Sequence, residues 1–79
     1  QHSGNLDLKN AIGRKAKVYI TIPPALKGEG KVNLTLQERF TEVSAMTEEE
    51  NALKPGTLVE VVNILDDDTL LVKTVGMEK

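Results

Sequence analysis

Residues 14–22 read Arg-Lys-Ala-Lys-Val-Tyr-Ile-Thr-Ile, in which polar and apolar side chains alternate from Lys15 onward. Successive side chains on an extended backbone point to opposite sides, so this pattern predicts a strand with one buried face: Ala16, Val18, Ile20 and Ile22 inward, Lys15, Lys17, Tyr19 and Thr21 outward. Pro23-Pro24 ends it, since neither residue can donate a ladder hydrogen bond. The alternation returns at 31–37, with Val32, Leu34 and Leu36 on one face, and at 39–46, where Val43 and Ala45 share a face. Phe40 has the opposite parity, and a bulge near Thr41-Glu42 is expected to bring it into the core. Residues 57–65 hold Val59 and Val61 on one parity and Val62 and Ile64 on the other. A phase change at Val61-Val62 is expected to turn all four inward. A last strand, 69–75, places Leu70 and Val72 inward and Lys73 outward.

Between these segments the breakers are short. Gln37-Glu38-Arg39 and Asp66-Asp67-Asp68 suit tight turns. Residues 23–30 form a loop in which Gly28 and Gly30 are the expected positive-φ points. Thr47-Glu48-Glu49-Glu50 has the form of a capping box and predicts one or two helical turns before Pro55-Gly56 stops them. A further short turn is expected ahead of the first strand, with Asn5 as its cap, Leu8 and Ile12 as i,i+4 neighbours and Gly13 at its end.

Five short one-faced strands, with no helix long enough to cover a sheet, are best satisfied by a sheet closed on itself, and phase breaks supply the bends. The expected architecture is therefore all-β: a five-stranded OB-fold-like Greek-key barrel with at most one short helical turn between strands three and four. An SH3-like barrel competes with it. The chain of 79 residues holds one core. Residues 1–12 are expected to be a linker or N-terminal tail, 13–76 the barrel and 77–79 a C-terminal tail. Because the chain opens at Gln1 with no Met, it is expected to be a piece of something longer.

Composition removes whole classes of chemistry. There is no cysteine, hence no disulfide, thiol nucleophile or thiolate metal site. Ser3 and the single histidine, His2, fall in the expected tail, and Ser44 falls in a strand, so no nucleophile–base pair assembles. Asp66-Asp67-Asp68 lacks the spread ligands and glycine bend of a calcium loop. Gly28-Glu29-Gly30-Lys31 lacks the spacing and following helix of a phosphate loop. No catalytic residue, cofactor or metal is expected. The charges are asymmetric: residues 1–40 carry seven basic against three acidic side chains, a balance of +4, and residues 41–79 carry three against nine, a balance of −6. Either these faces offset each other once folded, or the domain presents a basic patch to an anionic partner.

Gly13, Pro23, Gly30-Lys31-Val32, Val43-Ser44-Ala45, and above all the run Leu53, Pro55-Gly56-Thr57, Val59, Val61-Val62 and Ile64, followed by the hairpin to Leu70 and Val72, resemble the soluble C-terminal domain of the NfeD family in its short members. The likeness covers roughly residues 12–73. It implies an OB-like barrel tethered by upstream helices to the cell membrane, on the cytoplasmic side, and acting without catalysis beside stomatin- or flotillin-like membrane proteins. The Ser-Lys protease domain of longer members has no counterpart here. The Pro23–Gly30 loop is longer than the family pattern, and the link after Gln37 lacks its glycine. Within that loop Pro24, Ala25, Leu26 and Lys27 are the expected partner-binding residues, because loops on a rigid barrel carry contacts and the two prolines stiffen the entry. Either Leu26 is an exposed contact, or it folds back as a plug over the barrel end. The alternative function is a single-stranded nucleic-acid-binding OB module using Lys15, Lys17, Tyr19, Lys27 and Lys31, with only one aromatic available for stacking.

Overall fold

The computed structural model describes residues 8–36, 38–66 and 68–75. The expected cap Asn5, the tail residues His2 and Ser3, and the turn residues Gln37 and Asp67 lie outside them. Five strands form: β1 (Lys15–Ile20), β2 (Gly30–Leu36), β3 (Arg39–Thr47), β4 (Leu58–Asp66) and β5 (Thr69–Thr74). They close into a barrel in the order β1-β2-β3-β5-β4, with β4 returning to β1. All pairings are antiparallel except β3 with β5. This is the OB-like order that the alternation predicts. Among the described residues no helix is long and apolar enough to cross a membrane. A short 3₁₀ turn at Leu8–Ala11 precedes β1, the one helical element among the described residues, and its Ala11 is fully buried.

The core is built from the inward faces that the alternation marks. Val32, Leu34 and Leu36 of β2 and Leu70 and Val72 of β5 are buried, and Ala16, Val18, Val43, Ala45, Val59 and Val61 join them. Ile22 belongs to no strand, yet it is fully buried and exchanges both backbone hydrogen bonds with Leu53, at 3.0 and 2.9 Å. That bridge pins the segment after β1 to the β3–β4 connection. The β1–β4 seam is only three pairs long, Lys15↔Glu60, Ala16↔Val59 and Lys17↔Leu58.

Three side chains differ from expectation, and each difference is set by a partner strand. The β1–β2 register shifts between Val18 and Ile20, so Ile20 turns outward beside Tyr19 instead of inward. The β2–β3 ladder runs unbroken from Gly30↔Ala45 to Leu36↔Arg39. Without the expected bulge at Thr41-Glu42, Phe40 keeps its parity and stands 76% exposed. The β4–β5 register does shift between Val61 and Asn63, where a bulge was expected, but its effect on Val62 is the reverse. Val61 stays buried, Val62 is pushed to the surface, and the restored phase lets Ile64 pack against the core.

The expected helix after β3 does not form. Thr47 is the last residue of β3, paired with Val72 and fully buried. Its hydroxyl accepts a hydrogen bond from the Glu49 backbone N–H at 3.2 Å, a turn two residues long rather than a helix cap. The Thr47 and Glu49 carbonyls are taken by the β1–β2 loop.

Candidate functional site

The β1–β2 loop leaves the barrel at Ile22 and returns at Gly30. Gly30 is buried, and a side chain there would run into the backbone carbonyl oxygens of Ile20 and Thr21, with the Ile22 Cγ1 at 2.7 Å. The close crossing of these two segments fixes the loop's base. Its tip is a β-turn in which Lys27 N–H donates to the Pro24 carbonyl at 3.0 Å. Ala25 (φ 54°) and Leu26 (φ 58°) are both left-handed, the pattern of a type I′ turn. Such turns favour Asn and Gly; an Ala-Leu pair there stores backbone strain, of order 1–2 kcal/mol per residue. Gly28 and Gly30, the expected positive-φ points, have ordinary φ values.

The strained tip persists because the neighbouring connection holds it. Ala25 N–H donates to the Glu49 carbonyl at 2.7 Å and Leu26 N–H to the Thr47 carbonyl at 2.8 Å. Glu49 is itself fastened: its Oε2 accepts from the Thr74 backbone N–H at 2.6 Å and from the Thr74 hydroxyl at 2.8 Å. The result is a layered rim, β5 end to Glu49 to loop tip. Of the four loop residues singled out in the sequence, Ala25 and Lys27 are exposed, Pro24 is half-buried, and Leu26 is 41% exposed. Thr47 and Glu49, which position the tip, were read in the sequence as helix-start residues. Nothing local marks them as loop supports, because their partners lie more than twenty residues away.

Beside this rim a shallow groove of about 260 Å³ runs between Glu48, Val62, Leu71 and Lys73. Its floor is apolar. Ser44 is half-buried on β3, paired across the ladder with Lys31 of β2. Among the described residues no cluster of three or more His, Asp or Glu could hold a metal.

The strand order defines a class: a closed, five-stranded OB-like barrel. The soluble domain of the NfeD protein YuaF from Bacillus subtilis superposes with a TM-score of 0.63, at 28% identity over 78% of this chain and 70% of that one. The soluble domain of a Corynebacterium glutamicum membrane protein implicated in regulation of membrane protease activity has a TM-score of 0.66, at 20% identity over 86% and 97%. The C-terminal domain of stomatin operon partner protein 1510-C from Pyrococcus horikoshii has a TM-score of 0.64, at 22% identity over 87% and 94%. No protein-family model matches the chain, and no curated protein does. These neighbours thus include the soluble domain of an NfeD protein, in agreement with the resemblance carried by Leu53 to Ile64.

Proposed function

We propose that this barrel is the soluble domain of a membrane protein of the NfeD type, and that it acts without catalysis as an interaction module for a stomatin- or flotillin-like membrane protein. The observation that carries the reading is the Ala25-Leu26 turn. Strain that the surroundings over-determine is kept where it serves function, and here it holds an apolar side chain out at the loop tip. The contact residues are Pro24, Ala25, Leu26 and Lys27. The likeness to YuaF and to a stomatin operon partner supports the membrane setting and the class of partner. In this reading helices upstream anchor the parent chain in the cell membrane, with the barrel on the cytoplasmic side.

The test is co-purification of the full-length parent from membranes with a stomatin- or flotillin-like protein, repeated with Leu26→Asp. Capture by the parent and its loss in a folded Leu26→Asp variant are the expected results. A folded variant with undiminished capture, or no capture by the parent at all, would overturn the proposal.

A further inference from the structure

The barrel wall away from the loop tip carries a second surface. β1 and β2 both come from the basic half of the chain, and the topology makes them neighbours. Neither strand contains an acidic residue, and Lys15, Lys17 and Lys31 alternate with their buried residues. The bulge opposite Lys31 adds two consecutive exposed apolar side chains, Tyr19 at 53% and Ile20 at 46%. The flanking strands each add one more. Leu58 of β4 lies across from Lys17 and is 48% exposed, and Phe40 of β3 lies across from Thr35. Lysines interspersed with aromatic and aliphatic side chains on one wall are not the usual composition of a solvated face.

We propose that this wall, centred on β1 and β2, docks flat against an anionic bilayer surface, its lysines among lipid headgroups and Tyr19, Ile20, Leu58 and Phe40 at the acyl boundary. Each lysine near such a surface favours binding by electrostatic attraction, and the amphipathic aromatics suit the interface. A single strand of nucleic acid fits the wall less well. Phe40 does supply the second aromatic that stacking needs. However, the β2 positions opposite Tyr19 and Phe40, Lys31 and Thr35, lie roughly 13 Å apart along the strand, too far to stack successive bases. Ile20 and Leu58 offer no π-face. Glu42 and Glu60, across from Asn33 and Lys15, would meet phosphates of fixed spacing, whereas lipids can redistribute around them. The inference leans on the membrane reading above only in that an upstream tether keeps the wall at high local concentration near lipid. It uses a different surface from the Leu26 tip.

The test is sedimentation of the 79-residue chain with phosphatidylcholine vesicles, with and without phosphatidylserine, at low and high salt. Binding to the serine-containing vesicles alone, released by salt, is expected. Replacing Lys15, Lys17 and Lys31 together by Gln should lower the partition roughly a hundredfold, at roughly fivefold per lysine. Phe40→Ser should lower it severalfold, and Lys73→Gln on β5 should leave it within about twofold, with thermal melts showing each variant folded. Equal binding to neutral vesicles, no binding to anionic ones, or an undiminished triple variant overturns the proposal. Salt-sensitive binding of oligothymidylate without vesicle binding reassigns the wall to nucleic acid. Partner capture by full-length protein is read separately through Leu26, so failure of one proposal leaves the other measurable.

Discussion

Gly13 and Gly56 occupy matching places at the two ends of the β1–β4 seam. Gly13 N–H donates to the Val61 carbonyl at 2.8 Å while Val61 N–H donates to Arg14 at 2.9 Å; Gly56 N–H donates to Val18 at 2.8 Å while Val18 N–H donates to Thr57 at 2.9 Å. In both, a glycine and its successor face one residue of the partner strand, with the glycine left-handed at φ 88° and 93°. That is the G1 bulge. Each glycine is also the third residue of a turn, closed by Arg14 N–H to Ala11 and by Thr57 N–H to Lys54. Two turn-and-bulge units thus clamp the short ladder that closes the barrel.

Nothing lies within 4 Å of a Cβ built at either glycine, so substitution costs backbone conformation and not packing. Gly13→Ala and Gly56→Ala should each destabilise by about 1–2 kcal/mol in urea melts. Gly→Asn at the same sites should cost less, because Asn tolerates positive φ. Equal losses for Ala and Asn would disprove the backbone account.

Gly30 is the opposite case: its φ is ordinary but its space is full. Gly30→Ala would press a methyl against two backbone carbonyls, which cannot rotate away. A loss of at least about 2–3 kcal/mol, or failure to fold, is the expected outcome in a thermal melt.

Val32 and Phe40 form a contrast that burial alone decides. Val32 is fully buried and Phe40 is the most exposed large apolar side chain among the described residues. Val32→Ala should cost on the order of 1–3 kcal/mol, whereas Phe40→Ser should stay within about 0.5 kcal/mol of the parent. A large loss at Phe40 would place it in the core.

The Glu49 carboxylate is the only side chain that ties the β3–β4 connection to Thr74 among the described residues. Glu49→Ala should cost about 1–2 kcal/mol. It should also speed amide exchange at Thr74 and at Ala25, whose N–H rests on the Glu49 carbonyl. Unchanged exchange at both sites would show that the rim is not mechanically linked.

Relieving the loop strain should raise stability and lower function together. Ala25→Asn with Leu26→Gly installs the residues that a type I′ turn prefers, and should stabilise by about 1 kcal/mol or more. Partner capture should fall because the apolar tip is gone. A variant that gained no stability would argue that the turn is unstrained.

Alternation alone determined much of this domain: five strands, their order along the chain, and the inward faces of β2 and β5. It could do so because side-chain direction on an extended backbone is a local steric property, legible from a dozen residues. The breakers likewise marked the loop from Pro23 to Gly30, and with it the place of the candidate site. What the tertiary structure decided is everything that needs a second strand to define it. A bulge is an extra residue only relative to its partner, so the outward turns of Ile20 and Val62 had no local signature, and Phe40 followed simple parity because β2 demanded no bulge. The same holds at the loop tip. Ala25 and Leu26 show no sign of left-handed geometry as a dipeptide; the hydrogen bonds that their N–H groups donate to the carbonyls of Glu49 and Thr47, distant in sequence, hold them there. Strain of that kind belongs to the assembled barrel, since only long-range contacts can hold a local conformation that the residues themselves disfavour.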